Sequence, residues 1–396
     1  MSQTTETVDV AQQRSRSRWN LGPTELVFVA LVGIVIIGAV LVGLRGQNLF
    51  NTANTVDMFT RSSLLGFIAI GQTFAILCRS LDLSVGYVVA LTSIVAATTM
   101  EGDTGRIGLG IGAVLLVSGA IGLANGLIIA VLRVNPFITT LGMGLIIKGY
   151  LDTQYQGPAG SVPTQFQQFG FTRLGFLPLS TAVMLAVALA GFLFLRKSRT
   201  GYHMFAVGGN AEVARMSGIR TGRVMVTAHV LCSLCAGLAG LLIAARFGTG
   251  SALVYDNLYE LDSIAAVVLG GTLLLGGRGG IAGTIGGVLI LAVLDTVFNI
   301  LQVDPFFKDV LRGVIIIAAV AIYARRQLDR KARRIRFDDG NGGSATSDAA
   351  PKVPPSAGSS GRQPPPPAGV RGAPGDAHET SQTGTTIRQG PKGEGR

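Results

Sequence analysis

Ten stretches of this chain carry no formal charge, and they constrain its fold more than any other feature of the sequence. The runs 26–44, 83–100, 107–132, 177–195 and 224–245 contain no Asp, Glu, Lys or Arg. Each approaches or exceeds the roughly 20 residues with which an α-helix crosses a ~30 Å hydrocarbon core. Shorter runs at 62–78, 134–147, 263–277, 279–294 and 313–322 bring the expected count to about ten transmembrane helices. The apolar residues are continuous rather than alternating, which excludes a membrane β-barrel. The sequence therefore predicts an all-α polytopic membrane protein whose first solvent is the lipid bilayer.

Charged residues make up only 14% of the chain, yet its net charge is +11. That balance would suit a nucleic-acid binder, but its distribution has another cause. Arg14, Arg16, Arg18, Arg79, Arg133, the loop 196–223, Arg278 and the stretch 325–336 place 19 Lys and Arg on one side. The opposite side holds Arg45, Arg61, Arg106, Lys148, Arg173, Arg246, Lys308 and Arg312. With an even number of spans, this excess predicts both termini and the 196–223 loop in the cytoplasm. No nucleic-acid partner is expected. Residues 1–20 read as a cytoplasmic tail leading into an uncleaved first helix, and 21–336 as the membrane domain. Residues 337–396, rich in Gly, Pro and Ser, are expected to be a disordered cytoplasmic tail. Cys78, Cys232 and Cys235 all fall in apolar runs and read as buried, inert thiols.

The loop 196–223 contains a short helix whose ends are written in its sequence. Asn210 is a favoured N-cap, Glu212 places negative charge at the positive helix end, and Gly218 permits a left-handed stop. A helix of two turns is marginal alone, because nucleation costs more than so few hydrogen bonds return. Val213 and Met216, three apart, form a small apolar stripe with Arg215 beside it. A second protein is the expected support.

Elsewhere the polar signals are sparse. Asp82-Leu-Ser84-Val-Gly86 opens an apolar run; Asp82 reads as a helix cap, with Arg79 as a possible charge partner. Asn125-Gly126 and Asn135-Pro136 are read as bracketing a turn, with Pro136 at a helix start. Gly276-Gly277-Arg278-Gly279-Gly280 reads as a tight turn. Polar groups inside spans are candidate pathway residues: Gln72, Thr73, Asn125, Thr139, Thr140, Asp262, Thr272 and Asn299. The neutral hydroxyls and amides among them suit a hydroxyl-rich cargo, although interhelical bonding explains any one of them as well. Asp295 and His229 are the chargeable groups deepest in spans, and a pair between them, or burial of each at a subunit contact, is the expected reading.

Taken in order, these elements resemble the permease subunit of ribose-type monosaccharide ABC importers. The resemblance runs over roughly 25–325 and rests on Asp82–Gly86, Asn125-Gly126, Asn135-Pro136-Phe137, Thr140-Leu-Gly142, Gly208-Gly209-Asn210, Ala214-Arg215, Ser217-Gly218-Ile219, Glu260-Leu-Asp262 and the glycines from Gly270 to Gly279. It implies the ABC-importer permease fold, with Gly208–Ile219 as the coupling helix that docks on an ATPase. Cys78-Arg79-Ser80-Leu81 departs from the small residues usual before the Asp-Leu-Ser-Val-Gly element. The implied partners are an ABC ATPase subunit, an extracytoplasmic sugar-binding protein and a second permease copy. No Walker-type Gly-x4-Gly-Lys-Ser/Thr element occurs in the chain, so ATP is expected on the partner, with no cofactor, metal or enzymatic role here. The rival readings are a branched-chain amino acid-type permease on a similar scaffold and an ion-coupled secondary transporter. The latter leaves the capped helix with nothing to dock on.

Overall fold

The computed structural model describes residues 22–155, 157–304 and six scattered positions between 306 and 317. Residues 1–20, most of the run 313–322, the basic stretch 325–336 and the tail 337–396 lie outside the described residues. The chain divides into units 1–336 and 337–396, and every described residue belongs to the first.

The described residues fold as helices joined by short connections. In chain order they are α1 (Pro23–Gly43), α2 (Thr52–Leu77), α3 (Val85–Met100), α4 (Ile107–Val131), α5 (Pro136–Gln154), α6 (Thr164–Phe171), α7 (Leu179–Lys197), α8 (Arg199–Gly209), α9 (Ala211–Met216), α10 (Thr221–Phe247), α11 (Tyr259–Leu269) and α12 (Ile281–Ile300). Among them α1, α2, α4, α7, α10 and α12 are long and apolar enough to cross a membrane. A two-stranded antiparallel hairpin, β1 (Arg173–Leu174) with β2 (Leu177–Pro178), precedes α7.

Most apolar runs became single helices, and the exceptions have local causes. α2 starts ten residues before its run, where Asn51 caps it by accepting from Asn54 N–H at 2.8 Å, and Asp57 and Arg61 pair across its first turns at 2.7 Å. The run 263–277 does not form one span: α11 ends at Leu269, and a loop follows to Gly280. Gly276 and Gly277 hold φ of +76° and +72° there, a backbone region that a side chain resists. α6, α8, the hairpin and a 3-10 turn at Ala252–Asn257 were not evident in the sequence.

α10 is the axis of the packing, in contact with α2, α3 and α4. Glycines make that approach possible, as expected where helices lack a hydrophobic drive to associate. A Cβ added at Gly122 or Gly126 of α4 would stand 2.6 Å from the α10 backbone. At one end of the bundle the connections between helices interlock, with Ala159 bridged to Gly250 and Gly102 donating to Ser161 at 3.0 Å. The other end carries α8 and α9.

Candidate functional site

α9 is built as its sequence specifies. Asn210 lies outside the helix at φ −160°, and its Oδ1 accepts from the backbone N–H of Glu212 and Val213 at 3.0 and 3.1 Å. At the other end Gly218 turns left-handed at φ +82°. Gly218 N–H donates to the Arg215 carbonyl at 2.9 Å and Ile219 N–H to that of Ala214 at 3.0 Å, the two bonds of a Schellman stop. Ser217 adds a bond from its hydroxyl to the Val213 carbonyl at 2.9 Å. Ala214 faces the protein, whereas Val213 and Met216 are 57% and 81% exposed. Glu212 and Arg215 pair on the surface, and the Arg215 hydrogen bond holds the Glu212 carboxyl below its ordinary pKa. Such an exposed pair stabilises little. The helix is thus satisfied at both ends and unpartnered on its apolar side.

Immediately before α9, α8 meets two loops with no side chain between them. A Cβ at Gly208 would lie 1.8 Å from the Leu77 carbonyl oxygen and 2.5 Å from Gly277 N. Gly277 itself donates to that same Leu77 carbonyl at 3.0 Å. A Cβ at Gly277 would strike Gly209 at 2.7 Å, and one at Gly276 would strike Arg79 at 2.9 Å. The loop 270–280 closes on itself where Leu273 donates to the Arg278 carbonyl at 2.9 Å, forming the tight turn expected from its glycines. Three backbones therefore cross in direct contact: the end of α8, the loop after α2 and the loop before α12.

The loop after α2 leads into a fully buried polar string. His229 of α10 bonds Asp82 Oδ2 through Nδ1 at 3.0 Å and the Ser80 hydroxyl through Nε2 at 2.8 Å. Asp82 Oδ1 accepts from Ser84 N–H at 3.0 Å and from its hydroxyl at 2.5 Å. Asn125 Nδ2 donates to Ser84 Oγ at 3.0 Å, and Thr140 Oγ1 accepts from Leu83 N–H at 3.1 Å. Gln72, with its amide oriented to satisfy both groups, bridges the Asp82 backbone N–H and C=O at 3.2 Å each. Four expectations are corrected here. Asp82 pairs with His229 rather than Arg79, and His229 pairs with Asp82 rather than Asp295. Asp82 also sits two residues ahead of the N-cap position, which Ser84 occupies, so it holds the turn into α3 instead of capping the helix itself. Asn125 lies inside α4 rather than at its turn, while Asn135 accepts from Phe137 N–H at 2.9 Å as a helix start. The Ser–His–Asp order matches a hydrolase triad, but all three side chains are shielded. The string fastens loop to helix.

The eight intramembrane candidates consequently separate. Gln72, Asn125 and Thr140 belong to the string around Asp82. Thr73 bonds Thr284 of α12 at 2.8 Å, Thr139 bonds the Asn135 carbonyl at 3.1 Å, and Thr272 accepts from Gly280 N–H at 3.2 Å. Asp262 lines a cleft of about 730 Å³ with Arg61, Arg246, Tyr259 and Asp295, away from the α8 crossing. Asn299 lies near the end of α12. Gly86 is the second residue of α3, close against Glu260. The signals that sequence reasoning missed are Ser80 and the long-range pairing of His229, which no local pattern encodes.

Comparison with known proteins agrees with this architecture. Residues 54–320 match the family described as the branched-chain amino acid transport system, permease component. The chain belongs to that permease family. The permease is also 35% identical over 303 residues to the ribose import permease protein of Escherichia coli, covering 75% of this chain and 94% of the relative. It is 34% identical over 332 residues to the galactose/methyl galactoside import permease protein of Escherichia coli, covering 77% and 96%. The ribose import permease protein of Bacillus subtilis is 35% identical over 320 residues, covering 78% and 92%. No solved structure matches the permease. The resemblance carried by the motifs from Asp82 to Gly279 is thereby shown.

Proposed function

We propose that this permease carries a monosaccharide inward across the cytoplasmic membrane, using ATP hydrolysed by a separate subunit docked on α9. The observation that carries the reading is the capped α9 with Val213 and Met216 turned outward, directly joined to the backbone crossing at Gly208. The positive-inside asymmetry supports a cytoplasmic α9 and cytoplasmic termini. The ribose and galactose permeases among the relatives support a sugar cargo, delivered by an extracytoplasmic binding protein to a pathway formed with a second permease copy.

Force applied to α9 would pass through α8 to the loops that end α2 and precede α12. Backbone-to-backbone packing leaves no soft side chain to absorb that displacement. Reversing an access equilibrium from 1:99 to 99:1 needs about 5.5 kcal/mol of differential interaction, which has to enter at such a contact. The family description favours a second cargo, a branched-chain amino acid. Uptake of labelled ribose, galactose, xylose and leucine, with and without this chain, separates the two. A sugar is expected to depend on the chain. Dependence of leucine alone would contradict the proposal.

A further inference from the structure

The polar groups buried around Asp82 are satisfied by one another, but a second polar cluster is not. It lies where the chain from Gly248 to Glu260 runs down beside α3. Gly250 packs on Ile94, and Ser251 N–H donates to Ser93 Oγ at 3.2 Å. Further along, Tyr255 stacks on Tyr87 with ring centroids 5.7 Å apart. Glu260, in the first turn of α11, reaches Gly86 so closely that a Cβ there would lie 2.2 Å from Glu260 Oε2. Gly86 is roughly 20 Å along α3 from its end at Met100, at 1.5 Å per residue. The segment reaches that depth as a short 3-10 turn entered from extended backbone rather than as an α-helix. Such irregular backbone is tolerated only where it is buried in protein or lines a water-filled cavity.

Three further observations point to a ligand. Glu260 is 6% exposed, and its Oε2 has no hydrogen-bond partner among the described residues. Lys148 and Asp152 of α5, a membrane-domain helix, pair at 2.6 Å yet remain 38% and 45% exposed. The sequence places Lys148 at the outer side of the membrane, but α5 continues past it to Gln154. Within that helix a lipid-facing position would be expensive for either charge. Asp152 also accepts from the Tyr255 hydroxyl, and Lys148 Nζ sits 4.6 Å over the Tyr255 ring. Glu260 sits against Gly86, the neighbour of Tyr87, and a Cβ at Gly144 of α5 would lie 2.7 Å from the Tyr87 ring, so α3, α5 and the start of α11 meet there. Together these groups supply an aromatic plate, a donor and carboxylate acceptors around one depth of the membrane domain.

We infer that Lys148, Asp152, Tyr255, Tyr87 and Glu260 form a transient binding subsite for a neutral, polyhydroxylated ring in transit. The inference rests on the sugar reading of the permease and adds the residues that grip the cargo. Hydroxyls of such a ring would donate to Asp152 and to the unpartnered Glu260 oxygen and accept from Lys148. Its carbon face would lie against the tyrosines. Placement beside the start of the short helix α11 matches the way transporters site polar cargo at broken helices.

The test uses membrane vesicles holding the assembled permease–ATPase complex. Wild-type vesicles must first accumulate labelled ribose or galactose; if they take up neither, the cargo reading itself fails. With uptake established, Asp152→Asn and Glu260→Gln are each expected to lower it about tenfold, the scale of one lost charge-assisted hydrogen bond. Permease abundance and ATP hydrolysis should stay at wild-type levels. Lys148→Cys should react with a water-soluble methanethiosulfonate, and the transported sugar should slow that reaction several-fold. The native Cys78, Cys232 and Cys235 are buried and provide a low background. Normal uptake in both carboxylate variants, or Lys148→Cys modification that is absent or indifferent to sugar, would overturn the subsite and leave the cargo reading standing.

Discussion

Gly208→Ala is expected to cut the folded permease in the membrane about tenfold, whereas Gly209→Ala should leave it near wild type. The two glycines are neighbours on α8, so helix propensity favours alanine equally at both. Only their surroundings differ. The new methyl at 208 would lie 1.8 Å from the Leu77 carbonyl oxygen, while nothing stands within 4 Å of one at 209. Overpacking against side chains costs about 1–3 kcal/mol because they can turn aside. Here the obstacle is two backbones, so the cost falls at or above the top of that range. Losses of 1–2 kcal/mol already change cellular abundance several-fold. Size-exclusion profiles of fluorescently tagged variants extracted from membranes read the difference. Equal profiles for the two variants would mean that the crossing of α8 with the loops at Leu77 and Gly277 is not tight.

The second large effect is expected at the buried pair of Asp82 and His229. Ordinary interhelical hydrogen bonds in membranes average about 0.6 kcal/mol, too little to matter singly. Removing one partner of a buried hydrogen-bonded pair costs about 1–3 kcal/mol, and more where a carboxylate is left, because the other group stays buried without compensation. His229→Ala strands the Asp82 carboxylate and opens a cavity beside the loop after α2. Asp82→Ala removes the partner of His229 Nδ1 and releases the Ser84 turn. The expected order of thermal stability is wild type, then Asp82→Asn, then Asp82→Ala, with His229→Ala lowest. For all three, folded abundance should fall more than transport per folded molecule. Normal abundance of Asp82→Ala with no transport would move Asp82 from the scaffold into the pathway.

What the sequence revealed and what it hid divide along sequence distance. α9 was legible because its determinants are local: Asn210, Glu212 and Gly218 fall within nine residues, and each acts on backbone groups beside it. The apolar runs were legible for the same reason, since a helix in lipid satisfies its own backbone. The pairing of Asp82 with His229 spans 147 residues and leaves no local trace. Asp82 was accordingly read as a cap with a nearby arginine. The break in 263–277 was written in Gly270, Gly271, Gly276 and Gly277, but hydropathy alone outweighed it. The depth of the 248–260 segment was hidden because Asp256, Asn257 and Glu260 give it the composition of an exposed loop. Only its packing on α3 places it inside the domain.

The central claim is that α9 is where the ATPase takes hold, and a photo-crosslinker at Met216 tests it most directly. Met216 is 81% exposed, so replacing it with a benzoylphenylalanine should not disturb the fold. Illumination of vesicles holding the assembled complex should join the permease to the ATPase subunit. The same probe at Phe176, in the turn between β1 and β2, should give no such adduct. Gly218→Val, which forces a β-branched residue to φ +82°, and Arg215→Glu should each abolish the adduct at Met216 and sugar uptake together. An ATPase adduct from Phe176 with none from Met216, or full uptake in both variants, would contradict the account.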